Sequence, residues 1–306
     1  MSLKYNKVSL ATIEEFNLFR DKNPDVKYID AILTDVSGII RGKRLPIKDA
    51  EKLFISGIQF CYSTFLLDPT GYCPDAAGRG FTDGDPDATY YPVRDTLRIM
   101  PWHKDKLAQV LITIQDESRY SSIIDPRNVL AKILENFDDM KLSFKVAFEL
   151  EFYLFKKRNK ISDKPEPAIS NETKKQSEGT QVYGMRELDE FYDFLEEVNE
   201  FCKLQNIPAS TASSEFAPGQ FEINLNYTTN VLKSADDSSL LRRVIKETAI
   251  KHQYEASFIS KPFIDQTGSG MHVHISLFDE QNKNIFASSK EEGSQQLHYA
   301  VGGLQR

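Results

Sequence analysis

Three short stretches of the chain carry side chains able to hold a divalent cation. Glu149 and Glu151 sit two residues apart in FKVAFELEFYLF, residues Phe144–Phe155. Side chains alternate along a strand, so both carboxylates share one face. Two like charges on one face of an apolar strand are costly unless something positive binds them. Solvent or Lys/Arg partners would meet the same need. Glu215 and Glu222 flank a turn forced by Pro218-Gly219, so they can converge from a loop and the strand it feeds. Gly268–Ser276 (GSGMHVHIS) joins a glycine turn to a strand, and His272, His274 and Ser276 then share a face. Neutral imidazole suits a divalent metal or a hydrogen bond to a nucleotide.

Each stretch alone has a bland reading, as exposed glutamates or satisfied histidines. Together, four glutamates and a histidine make a hard, oxygen-rich shell that suits Mg²⁺ or Mn²⁺ better than structural zinc. Such shells serve phosphoryl transfer, where paired metals clamp phosphate oxygens. No Walker loop, kinase signature or dinucleotide fingerprint offers a competing phosphate site.

The elements that must position these groups follow from periodicity and punctuation. Residues 12–22 read as a helix ended by Asn23-Pro24, and Tyr28–Thr34 and Ile39–Ile47 as a hairpin around Asp35–Gly38. A short helix over Asp49–Ile55 should stop at Gly57, and residues 67–90, rich in Gly, Asp and Pro, read as a long loop. Leu97–Met100 and Leu107–Gln115 are strand candidates. Asp125-Pro126 opens a helix to about Met140, and Phe144–Phe155 is the most strand-like segment. Residues 156–180 read as a polar surface excursion and Arg186–Gln205 as one amphipathic helix. Phe221–Leu225 and His272–Phe278 read as strands, Asp236/Asp237 as the opening of a helix to about Ser257, and Gln295–Arg306 as the opening of another.

A length of 306 residues suits two domains. A net charge of -7 without a basic patch argues against nucleic acid as a partner. No stretch approaches the ~18 apolar residues of a membrane span, and the N-terminus lacks an apolar signal core. Three scattered cysteines, Cys61, Cys73 and Cys202, point to a reducing, cytoplasmic setting.

These motifs, in this order, resemble the glutamine synthetase superfamily. Glu149-Leu150-Glu151-Phe152, Pro218–Glu222 and Gly268–Ser276 are similar to its three signature blocks, and Tyr28–Pro46 with Arg41-Gly42-Lys43-Arg44 extends the likeness into the N-terminal part. The resemblance implies an α+β fold: an N-terminal β-grasp domain over residues 1–117, then a glutamine-synthetase-type α/β catalytic domain over 118–306, incomplete at its C-terminus. It implies a homo-oligomeric ring with active sites between neighbours. Glu151, Glu215 and Glu222 would hold one metal, and Glu149 and His272 would contribute to the other. His274, Ser276 and Tyr227 would touch ATP. Thr267 and Gly268 would lie against the substrate glutamate. Glu149, Glu151 and Asp87 form the implied catalytic set. The implied reaction makes γ-glutamyl phosphate from glutamate and ATP, after which an amine displaces phosphate.

Departures from the pattern bear on the amine. Ammonia-using members carry an aspartate after a G-x-x-F segment, where this chain has Cys61 after Gly57-Ile58-Gln59-Phe60. A thiol with a pKa of about 8.5 does not replace a carboxylate's charge. The family's Asn before Gly-Ser-Gly is Thr267. Both changes look like the glutamate–putrescine ligase branch, in which the amine is a polyamine. Asp83, Asp85 and Asp87 then either attract that cation or merely cap turns. Asp87 matches an acidic residue of the ammonia site, so glutamine synthetase proper is the alternative. Family members continue past the point equivalent to Arg306 with phosphate-binding arginines, a flap glutamate and a further metal-binding glutamate. The expectation is therefore a piece of a longer gene product, or a non-catalytic relative that assembles or binds ligands.

Overall fold

In the computed structural model the described residues are 8–75, 78, 80–103, 106–115, 124–160, 162–176, 182–289 and 291–306. They fall into two units, Met1–Asn136 and Phe137–Arg306. The boundary expected at 117/118 lies outside the described residues.

In the first unit, Thr12 caps α1 (Ile13–Lys22), its hydroxyl accepting from the Glu15 N–H. β1 (Tyr28–Thr34) and β2 (Ile40–Pro46) form the expected hairpin. Asp35 fixes its turn by accepting from the N–H groups of Ser37 (3.0 Å) and Ile39 (2.8 Å) and pairing with Arg41 at 2.7 Å. α2 (Glu51–Ser56) ends at Gly57, whose φ of 75° carries the chain into β3 (Ile58–Cys61). β4 (Asp87–Pro92), β5 (Arg98–Ile99) and β6 (Leu107–Ile114) complete a sheet of order β2-β1-β6-β4-β3, with β5 on β6 and β1 parallel to β6. The stretch expected as loop through residue 90 gives its last residues to β4, because Asp87–Tyr90 pair with Ile58–Cys61. Tertiary pairing overrides the local composition there.

The sheet meets α3 (Pro126–Asp139) through one buried carboxylate. Asp125 accepts from Thr113 Oγ1 at 2.5 Å, Ile114 N at 3.0 Å, Arg127 N at 2.9 Å and Asn128 Nδ2 at 3.2 Å. It is at once the helix cap and the clasp on the end of β6. Burial pushes its pKa up, against the pull of these donors.

The second unit is built on β7 (Ser143–Lys156). The helix expected over 186–205 is two, α4 (Met185–Glu190) and α5 (Tyr192–Leu204). Between them Phe191 leaves helical geometry (φ -114°, ψ 17°) and buries its ring 5.3 Å from Phe221. β8 (Ala209–Ser214), absent from the sequence reading, pairs with β9 (Gln220–Leu225). α6 runs Val231–Lys251, not from Asp236/Asp237 to Ser257. Asn230 caps it by accepting from Lys233 N at 3.0 Å, leaving Asp237 inside, buried and paired with Lys233 at 2.6 Å. Burial pushes the Asp237 carboxyl up to about 6 despite that lysine. Gln253, at φ 63°, then reverses the chain into β10 (Tyr254–Ser257). β11 (Met271–Phe278) and α7 (Gln295–Leu304) follow. The sheet order is β10-β7-β9-β8, with β11 also on β7. The excursion after β7 is not wholly superficial, since Ala168 and Ser170 are fully buried.

One face of β7 is apolar. Leu150, Phe152 and Leu154 are buried there, and Phe152 meets Phe194 of α5 and Phe221 of β9 at 6.4 and 6.1 Å. The opposite face holds Glu149 and Glu151, then Tyr153 and Phe155, which Phe263 covers at 5.6 Å from each ring. Among the described residues no helix is long and apolar enough to cross a membrane.

Replacing Asp125 by Ala should lower unfolding free energy by about 3 kcal/mol, since it strands a buried hydroxyl and N–H and removes a helix cap. Denaturant unfolding of the variant against the parent measures this, and a loss under about 1 kcal/mol would contradict the clasp.

Candidate active site

Strand register assembles the site. His272 of β11 pairs with Glu149 of β7, which on its other side pairs with Asn224 of β9. One step along the same face, Glu151 pairs with Glu222, which faces Ser213 of β8. Directly opposite residues on one face stand about 5 Å apart at Cβ. The result is a rectangle of three carboxylates and one amide, edged by an imidazole.

The side chains close the gap. Donor atoms of Glu149, Glu222 and His272 all lie within 4.8 Å of one another. His272 Nδ1 is 3.3 Å from Glu149 Oε2 and 3.8 Å from Glu222 Oε2. His274 Nε2 lies 3.0 Å from Glu149 Oε1, which also accepts from Asn224 Nδ2 at 3.4 Å. Glu151 and Glu215 join these three groups in lining one cavity of about 460 Å³. Glu215 reaches it from the β8–β9 turn, where its N–H donates to the Gln220 carbonyl at 2.9 Å. Gly219 makes that turn possible: its φ is 73°, and a Cβ there would stand 2.8 Å from the Leu154 carbonyl.

Electrostatics decide between the two readings of this face. Among the described residues no lysine or arginine pairs with Glu149, Glu151, Glu215 or Glu222; the partners are two histidines. The carboxylates are not freely solvated either, for the Glu222 side chain is only 12% exposed. Burial first, then Glu149 and Glu151, push the Glu222 pKa up. Burial, then Glu151 and Glu222, do the same to Glu215. The donor set is oxygen-rich with one accessible imidazole, and Gly270 keeps the space clear: a Cβ there would stand 2.9 Å from Glu151 Oε1 and 3.4 Å from His272 Nε2. The residues present therefore fit a hard divalent cation.

Other expected site residues are placed less centrally. Ser276 lies further along β11, opposite Lys145 in register. Tyr227 is 70% exposed, with the Lys145 ammonium 5.9 Å from its ring, and lines a separate cavity of about 570 Å³ with Asn226, Lys203 and Lys233. Thr267 and Gly268 are tied to the acidic face through Gln220. Asp87 belongs to the first unit, where the Cys61 thiol donates to its Oδ1 at 3.7 Å.

Three contributors went unassigned in the sequence. Asn224 and Tyr153 lie two residues beyond Glu222 and Glu151, so strand alternation could have placed them on the acidic face. Gln220 lies within the P-G-Q-F-E segment, but nothing local shows that its amide is buried.

The sequence pattern of the glutamine synthetase catalytic domain matches residues 123–306. The chain belongs to the glutamine synthetase family. As a member it is 35% identical to the gamma-glutamylputrescine synthetase PuuA of Escherichia coli (strain K12), covering 96% of this chain and 62% of that protein. It is 30% identical to a glutamate–isopropylamine ligase of Pseudomonas sp, covering 94% of this chain and 61% of the relative. A cryoEM structure of Plasmodium falciparum glutamine synthetase superposes with a TM-score of 0.74 at 22% identity, over 97% of this chain and 60% of that one. The mixed α/β fold is thus that of the glutamine synthetase family, and the chain spans less than two thirds of the length of these relatives.

The raised acids give a pH signature. An acid whose folded pKa exceeds its unfolded value favours the fold below that unfolded value, here 4.5, and loses the contribution as pH rises through the folded pKa. The metal-free protein should therefore lose melting temperature in that window. Mn²⁺ should restore it, with a gain larger at about pH 8 than at about pH 5, reaching about 2.7 kcal/mol at a hundredfold excess over Kd. Thermal melts with Mn²⁺ and with EDTA check this; a gain independent of pH would refute it. Gly270→Ala should weaken Mn²⁺ binding about tenfold by pressing on Glu151 and His272, read by calorimetry.

Proposed function

We propose that the chain carries the metal- and glutamate-binding machinery of an ATP-dependent glutamate–amine ligase whose preferred acceptor is a polyamine of the putrescine type. The convergence of Glu149, Glu222 and His272 carries this reading. The two relatives, named as a gamma-glutamylputrescine synthetase and a glutamate–isopropylamine ligase, support the reaction class, and the first supports the acceptor. On this reading residues 1–117 form a β-grasp domain, 118–306 belong to the catalytic domain, and subunits assemble as a ring. Three free cysteines suit a cytoplasmic protein.

Glu151, Glu215 and Glu222 are proposed to hold one Mg²⁺ or Mn²⁺, and Glu149 with His272 to contribute to a second. Bound there, the cations would neutralise phosphate charge as the phosphoryl group moves. His274 and Ser276 face the nucleotide from β11, and Tyr227 offers its exposed ring to the base. Thr267 and Gly268 hold glutamate so that a γ-carboxylate oxygen attacks the ATP γ-phosphorus, and ADP leaves. The amine nitrogen then attacks the γ-carbonyl carbon, phosphate leaves, and the nitrogen gives up a proton to form the amide. Asp87 would attract the cationic acceptor and take the proton that its ammonium must lose before the nitrogen can attack.

The acceptor assignment leans on Cys61. Burial, then the Asp85 and Asp87 carboxylates, push its thiol up from the ordinary thiol value, so it stays neutral near pH 7. One carboxylate fewer weakens the hold on a small ammonium ion, whereas a diamine brings a second cation that can be held elsewhere.

Glu149→Ala and His272→Ala should each lower turnover by at least about a hundredfold. Phosphate release measured on the full-length gene product with glutamate, ATP, Mg²⁺ and a panel of amines gives the acceptor. Putrescine should exceed ammonia; ammonia as the best substrate with putrescine inert would make the protein a glutamine synthetase proper. Near-normal turnover in either variant would overturn the metal assignment.

A further inference from the structure

Gln220 begins β9 and is 2% exposed. Its Nε2 donates to Glu151 Oε2 and to the Gly268 carbonyl, each at 3.0 Å. Its Oε1 accepts from Ala217 N at 3.1 Å and from Thr267 Oγ1 at 2.7 Å. All four hydrogen-bonding positions of the amide are used, and a flipped amide would oppose oxygen to oxygen at Glu151 and Gly268. The amide therefore has one orientation.

The turn that it holds is rigid for independent reasons. The Tyr153 hydroxyl donates to the Thr267 carbonyl at 2.5 Å. Ser269 N donates to the Ser260 carbonyl at 2.9 Å, and a Cβ on Gly268 would stand 2.6 Å from that same oxygen. Gln220 is thus a single side chain that touches the acidic face through Glu151 and the 267–268 turn through both of its residues.

We propose that Gln220 is a positioning residue that couples divalent-cation binding on the acidic face to L-glutamate binding at the 267–268 turn. This rests on the functional reading above, which places the cation and the amino acid at those two places. A cation that fixes the Glu151 carboxylate fixes the acceptor of one Nε2 bond. The amide then holds Thr267 Oγ1 and the Gly268 carbonyl in the orientation that the amino acid meets. Each ligand, by fixing the group it meets at its own end of the amide, favours the arrangement that the other ligand meets, and the coupling is reciprocal by thermodynamic necessity. Thr267 is part of the device, because its hydroxyl is the donor to Oε1.

The test is calorimetric and needs no turnover. Mn²⁺ is titrated into the protein with and without saturating L-glutamate, and glutamate with and without Mn²⁺. In the parent, each ligand should tighten the other about tenfold, within the range usual for coupled sites. Gln220→Leu should bring that factor to about one. Thr267→Val should do so too, read as the ratio of Mn²⁺ affinities with and without glutamate, and Thr267→Ser should restore the coupling. The Thr267 pair decides the matter if Gln220→Leu does not fold. A tenfold factor that persists in Thr267→Val would overturn the proposal. Failure of the parent to bind Mn²⁺, or to bind glutamate once Mn²⁺ is bound, would instead overturn the functional reading and the coupling with it.

Discussion

The second unit is organised around uncompensated negative charge. Glu149, Glu151, Glu215 and Glu222 line one cavity, with two histidines as their only ion-pair partners among the described residues. Repulsion of this kind is normally removed by a lysine or arginine, by solvent or by protonation. Among the described residues there is no such lysine or arginine, and burial pushes Glu215 and Glu222 toward protonation. A fold that keeps such an arrangement gives up apo stability for a charge that some ligand must balance. Everything near the face can be read as holding these groups in place against their own repulsion.

That restraint comes from strands and from backbone. β7 sits between β9 and β11, so the carboxylates and imidazole are set by ladder register, which cannot slip by one residue without turning Glu149 and Glu151 into the aromatic core. Phe152, Phe194 and Phe221 occupy the other face and make that slip prohibitive. Beyond Glu151 the same face becomes aromatic, with Tyr153 and Phe155 under Phe263. The site is bounded at that end by a plug whose one hydroxyl, that of Tyr153, is spent on the 267 carbonyl. Gly219 then lets backbone pass where no side chain fits, and Gly270 leaves the Glu151 carboxylate its space.

The parts of this that the sequence made legible are those that local rules encode. Period-two alternation placed Glu149 with Glu151 and His272 with His274 on shared faces, and Pro218-Gly219 announced the turn that brings Glu215 and Glu222 together. Asn23-Pro24 and Gly57 stopped their helices as expected. What escaped depends on partners distant in sequence. β8 (ASTASS) is polar and small, and becomes a strand only because β9 offers a ladder. Asp236 and Asp237 looked like a helix start, yet Asn230 caps six residues earlier and Lys233 makes a buried Asp237 tolerable. Phe191 breaks a helix that its own neighbours would have continued, because its ring is worth more buried against Phe221 than in a helical turn. The Gln220 amide is the same case in the site itself: its identity is visible in the motif, its four partners are not.

Acceptor choice on the proposed reading follows from the same accounting of charge. In the first unit, Cys61 donates its thiol proton toward Asp87 rather than standing beside it as a second anion. Burial and the flanking carboxylates of Asp85 and Asp87 keep that thiol protonated. Asp85 is engaged by Ser63, whose hydroxyl donates to it at 2.8 Å and whose N–H does so at 3.3 Å, which fixes it as part of the loop. Asp87 is thus left with a neutral neighbour where the ammonia-using pattern has a charged one. A lone carboxylate attracts an alkylammonium and a free ammonium alike, and so discriminates little by itself. Selectivity would then have to come from the remainder of the acceptor: a second cationic end, four carbons away, gains from a distant acidic group that ammonia cannot reach. On that reading Cys61 would act by weakening the small competitor more than by strengthening the larger one, and a chain with Cys61→Asp would be expected to recover affinity for ammonium while keeping its affinity for a diamine.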